Sequence, residues 1–309
     1  MTNPCRIPTI KISRMAAGFF CLLISPAWVH AQCPPKAQTE ASLRALKKSE
    51  FLVTDDNARQ ALALGLLPCL SSPNPVLRDG IAFEAISFWL RKDQLNETTR
   101  RELLEKLQLN LRAGKPDNAG FSAAFSALVL SEVTRTDRIK AWMTPEQRMQ
   151  LVKATTAYMT GIRDYRGFDD KQGWRHAVAH TSDLVMQLAL NPAVDKAQLD
   201  LLLDATTAQI GITGHSYIHG EPERLLRAVL YIAKRDVHAE KDWEDWMENL
   251  VKPAPLVKWD DAFTSSEGLA KRHNLQAFLL LLHANTLQAD DKNWKLLNRL
   301  SMEALKKLL

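Results

Sequence analysis

The stretch Gly173-Trp174-Arg175-His176-Ala177-Val178-Ala179-His180-Thr181-Ser182-Asp183 gathers two imidazoles and a carboxylate at helical spacing. At about 100° per residue, His176, His180, Asp183 and Gln187 fall within an arc of roughly 60° on one helix. Trp174, Ala177, Thr181, Leu184, Val185 and Leu188 spread over the face a core would cover. The polar stripe is therefore expected to look away from that core, toward water or a concave surface shared with other helices. Two histidines four apart can present nitrogens to one divalent transition-metal ion, with Asp183 as third ligand or as orienter of a ligating imidazole. Such an ion would activate a bound water, the chemistry of a metal-dependent hydrolase. Zinc proteases, however, place a glutamate base directly after the first histidine, and here Ala177 stands there. The same residues can line a metal-free pocket for a small polar ligand or a partner segment, or form a hydrogen-bonded cluster that serves only as scaffold.

Neighbouring segments offer further groups. Four of the seven histidines after residue 31 are His176, His180, His215 and His219. The second pair sits in a segment, 214–220, that reads as a loop leading into a helix expected to begin near Glu221. In Arg163-Asp164-Tyr165-Arg166-Gly167-Phe168-Asp169-Asp170, Gly167 suits a turn; Arg166 and Asp169 either wall the same pocket or belong to a capped loop. Glu223 and Arg224 are either pocket groups or a solvated helix face, and Arg272 and Asn274 are similarly ambiguous. There is no Gly-x-Ser-x-Gly elbow, Walker loop or dinucleotide fingerprint. Trp243-Glu244-Asp245-Trp246-Met247 looks like amphipathic packing.

The elements that must position these groups read as helices almost throughout. Runs such as Ala58 to Leu67, Ile81 to Leu90, Leu103 to Leu111 and Leu275 to Leu282 are rich in Leu and Ala, and no long segment alternates as a half-buried strand does. Thr144-Pro145-Glu146-Gln147 combines an N-cap hydroxyl, a first-turn proline and a capping-box glutamine; Asn74-Pro75 repeats the cap-then-proline logic. Breaks at residues 114–117, 191–192 and 252–255 divide the chain into ten to twelve helices. Short loops between them favour stacked antiparallel hairpins, either α-solenoid-like or closed into a compact α/α bundle.

Residues 1–31 read as a cleaved signal peptide: Arg6, Lys11 and Arg14, an apolar run from Met15 to Ile24, and a Val29-His30-Ala31 cleavage site. The run is about ten residues, too short to span a bilayer. Residues 32–309 then form a single helical domain expected in the periplasm or outside the cell, with no later membrane span. Removing three basic residues and no acidic one lowers the formal charge from +5 to +2, which gives no support for nucleic-acid binding. Cys33 and Cys69 remain in a compartment where disulfides persist, and a bridge between them is expected.

Arg166-Gly167-Phe168, Gly173-Trp174, His176-Ala177-Val178-Ala179-His180 and Asp183 together resemble the bacterial domain of unknown function 2785 family. Weaker likeness lies in Leu77-Arg78-Asp79, Phe121-Ser122-Ala123-Ala124-Phe125-Ser126 and Glu221-Pro222-Glu223-Arg224-Leu225. The resemblance implies an all-helical protein and brings no established activity or cofactor.

Overall fold

Helix starts follow the caps written in the sequence. In the computed structural model, which describes residues 32–112 and 117–308, the Thr144 hydroxyl accepts from the Gln147 N–H at 3.2 Å while the Gln147 side chain accepts from the Thr144 N–H at 3.0 Å. Asn74 caps the turn that opens at Pro75 by accepting from the Val76 N–H. Asp195 and Gln198 form a second reciprocal box. Each such pair satisfies backbone donors that a helix start leaves open.

The chain runs α1 (Glu40–Lys48), α2 (Asp56–Gly65), a 3-10 turn (Leu67–Ser71), α3 (Pro75–Leu77), a π-helix (Arg78–Phe83), α4 (Glu84–Arg91), α5 (Glu97–Leu111), α6 (Ser122–Ile139) and α7 (Pro145–Gly161). A two-stranded hairpin follows, β1 (Phe168–Asp169) and β2 (Gly173–Trp174), then α8 (Ala177–Ala189), α9 (Lys196–Ile210), α10 (Glu221–Ala233), α11 (Glu240–Leu250), a 3-10 turn (Trp259–Thr264), α12 (Ser266–Thr286) and α13 (Lys292–Leu308). The thirteen helices among the described residues exceed the expected ten to twelve, and α3 is only a single turn. The expected signal peptide lies outside the described residues.

Alternate helices pack on one another. α6 packs on α8, α8 on α10 and α10 on α12, while α5 packs on α7 and α7 on α9. This is an all-α arrangement of hairpins laid side by side, with Leu- and Ala-rich faces meeting in one apolar core. Trp243 and Trp246 are buried, as their amphipathic spacing implied. No described helix is long and apolar enough to cross a membrane.

Two cross-links fix the frame. Cys33 and Cys69 are joined, tying the N-terminal segment to the first 3-10 turn across 36 residues; for a loop of that length the chain-entropy model gives about 3–4 kcal/mol. The Asp137 carboxylate, fully buried near the end of α6, accepts from the backbone N–H groups of Trp142 and Met143, from Arg148 Nε at 2.8 Å and from Asn191 Nδ2 at 2.7 Å. It thereby binds α6, α7 and the end of α8 through one charge whose acceptor sites are all used.

Candidate functional site

The histidine segment does not lie on one continuous helix. Gly173 and Trp174 form β2, paired with Phe168 and Asp169, and His176 sits in the left-handed region at φ 56°, ψ 39° as the residue before α8. Its N–H donates to the Arg166 carbonyl and the Arg175 N–H to that of Gly167, so the hairpin continues up to the helix start. A left-handed histidine is costly unless its surroundings enforce it. Here the Trp174 ring stacks on the His176 imidazole, centroids 4.7 Å apart.

The polar stripe is also not turned outward. His176 and His180 are 8% and 7% exposed, because α6 and α10 cover both flanks of α8. Small or self-satisfied side chains permit this: the hydroxyls of Thr181 and Ser182 donate to carbonyls one turn back, at 2.7 and 2.8 Å. His180 lies edge-on to Phe125 at 5.0 Å, and the His176 and His180 rings are 5.7 Å apart. Asp183 is ion-paired through Oδ2 with Arg224 of α10. Among the described residues, no three His, Cys, Asp or Glu side chains are grouped to hold a metal ion.

A cavity of about 470 Å³ opens beside these rings. The π-helix and the start of α4 contribute Asp79, Phe83 and Glu84; α6 contributes Phe125 and Leu128; the hairpin and α8 contribute Trp174, His176 and His180; the loop and α10 contribute His219, Gly220, Glu223 and Arg224. A larger groove of about 730 Å³, lined by Arg44, Lys47, Lys48 and Val76 among others, shares Asp79 with it but holds none of the imidazoles.

Behind the cavity lies Glu221, 2% exposed. One of its oxygens accepts from the His219 N–H at 2.9 Å; the other lies 3.6 Å from His176 Nε2 and 3.9 Å from His219 Nδ1. Three imidazole nitrogens, His176 Nε2, His180 Nδ1 and His219 Nδ1, are buried without a hydrogen-bond partner. Burial holds His176 below the usual imidazole range, with Glu221 opposing, and drives His180 down to about 3, helped by His176 and Arg224. Both rings are therefore neutral near pH 7. Burial pushes the Asp183 carboxyl up against the pull of Arg224, and the Asp79 carboxyl up against that of Arg78.

The structure thus brings His176, His180, Glu223 and Arg224 to the cavity, with Asp183 behind Arg224. Three expected residues go elsewhere. Arg166 pairs with Asp164, Nη2 to Oδ2 at 2.5 Å. Asp169 caps its own hairpin by accepting from the Lys171 and Gln172 N–H groups. His215 stacks on Tyr165 at 5.5 Å, while its carbonyl accepts from buried Asn274. Gly167 serves as a close-contact point: a Cβ there would collide with the His219 ring. Asp79, Phe83, Glu84 and Phe125 were not expected as pocket groups; Asp79 and Phe125 lie in segments that carried the family likeness.

Beneath the cavity, Arg78 is fully buried, 3.9 Å from the Phe121 ring centroid and 4.8 Å from that of Phe125. It donates to the carbonyls of Ser72 and Gln172 and pairs with Asp79 at 2.6 Å. Arg175 lies 4.5 Å from the same Phe121 ring. This stack anchors the π-helix to the hairpin, and π turns often mark functional sites.

Fold and site together define an all-helical protein with a buried histidine cluster opening on one cavity. Residues 107–284, more than half of the chain, match the family model described as Protein of unknown function (DUF2785), and the chain belongs to that family. No curated protein and no solved structure matches it.

Proposed function

We propose that this chain is an exported binding protein that retains a small polar ligand in the cavity beside Trp174. The observation that carries the reading is the convergence of His176, His180 and His219, drawn from two distant segments, on one cavity with three buried ring nitrogens left without partners. An unpartnered buried polar atom costs about 1–3 kcal/mol, and a ligand or water that meets it recovers that cost. Export rests on the sequence of residues 1–31 and is supported by the Cys33–Cys69 bridge. Sequencing the N-terminus of protein recovered from the periplasm is expected to begin at Gln32.

The ligand reading is tested by native mass spectrometry of the untagged mature protein and a thermal-shift screen of polar metabolites. A ligand at about a hundredfold its Kd stabilises by about 2.7 kcal/mol, and this gain is expected to vanish in His176→Asn/His180→Asn. If that variant folds and responds to every compound as the parent does, the cavity is not the binding site and a purely structural role for the histidines is left.

The same orphaned nitrogens favour a second reading, a metal-assisted hydrolase. It requires side chains around Glu221 to close on an ion, since Asp183 is engaged by Arg224. Elemental analysis decides it: about one transition-metal ion per chain, lost in His176→Ala/His180→Ala, supports this reading, and metal-free protein after zinc or manganese addition removes it.

A further inference from the structure

Building on the ligand-pocket reading, we propose that the cavity selects a small organic cation, an amine or quaternary ammonium group, over anions and neutral polyols. Three carboxylates line it, Asp79, Glu84 and Glu223, against one cation, Arg224, which is paired with Asp183, while Asp79 is paired with buried Arg78. Glu84 and Glu223 are held by Lys47 and Arg227 in pairs whose side chains are close to half exposed. Pairs of that kind contribute little, so an incoming ammonium competes for both carboxylates.

The aromatic wall acts in the same direction. Trp174 is 38% exposed, and Phe83 and Phe125 line the same space. A cation over the open face of such a ring is attracted by its π electrons, most when desolvated. The acidic rim does not stand alone, since His176 and His180, each more than nine-tenths buried, also line the cavity, and one buried ring nitrogen of each has no hydrogen-bond partner. Being neutral, they do not repel a cation. An anion meets one cation here, Arg224, which the largely buried Asp183 carboxylate already holds. Even the N-terminus of α10, whose N–H groups would attract one, already carries Glu221 and Glu223 in its first turn.

The test is calorimetry on the whole mature chain, followed in parallel by tryptophan fluorescence. Choline and cadaverine are the cationic probes, the neutral carba-analogue of choline and glucose the uncharged ones, and inorganic phosphate the anion. At least one cation is expected to bind at millimolar concentration or better, with the carba-analogue roughly tenfold weaker. Glu84→Gln/Glu223→Gln, whose half-exposed positions leave the fold intact by circular dichroism, is expected to weaken the cation by about tenfold. The fluorescence change should disappear in Trp174→Phe. If phosphate or the carba-analogue binds as tightly as choline, or if the screen finds only anionic or neutral ligands, the cation preference fails while the pocket stands. If no compound of any charge binds, both fail.

Discussion

The His180 ring is strongly perturbed by its surroundings, and its environment fixes a pH dependence. Unfolded, it takes a proton near pH 6.5; folded, it resists protonation down to about pH 3. Between those values the unfolded chain binds a proton that the native chain does not. The contribution is therefore fully present above pH 6.5 and is lost as pH falls toward 3, by about 1.4 kcal/mol per unit. His176 shifts in the same direction, whereas the raised carboxyls of Asp79 and Asp183 tilt the balance the other way at low pH. Urea unfolding at pH 7 and pH 4 separates these contributions: His180→Gln is expected to lose distinctly less stability on acidification than the parent, and equal losses would contradict the account. The spacing of His176 and His180 did locate this chemistry in the sequence. What it could not give was the left-handed turn at His176, imposed by the hairpin and the Trp174 stack rather than by helix periodicity.

Among the elements, α8 departs most from its helical wheel. Its stripe of His180, Asp183 and Gln187 reads as facing either water or a surface shared with other helices; α6 and α10 close over it, and Asp183 and Gln187 find Arg224 and Arg138 there. The small residues spread around the helix, Ala177, Ala179, Thr181 and Ser182, were the available sign of burial on every side. The joint between α6, α7 and α8 depends on Asp137 in a way that can be measured. Asp137→Ala leaves the Arg148 guanidinium, 9% exposed, without its counter-charge and four donors without their acceptor. A loss of about 3–5 kcal/mol is expected from equilibrium unfolding, and a loss below about 1 kcal/mol would show that Arg148 reaches water instead. Caps such as Thr144/Gln147 were legible because they are local; the Asp137 knot was not, since its partners are 5 to 54 residues apart.

For the whole molecule, the all-helical architecture followed from the Leu- and Ala-rich runs and their punctuation, and the Cys33–Cys69 bridge from counting cysteines beyond residue 31. Reduction, or Cys33→Ser/Cys69→Ser, is expected to lower stability by about 3–4 kcal/mol, read from the urea midpoint with and without dithiothreitol. An unchanged midpoint would mean that the N-terminal segment stays docked unaided. The Arg78 anchor has a consequence in time. Its Nη2 donates to the carbonyl of Gln172, 94 residues downstream, so a chain delivered N-terminus first, from the ribosome or through a translocation pore, presents this guanidinium long before its partner arrives. Contacts so remote in sequence form late. The cavity wall thus cannot form until the hairpin and the start of α10 have emerged, and until then Arg78 lacks its hairpin partner, a window in which a holding chaperone has most to do.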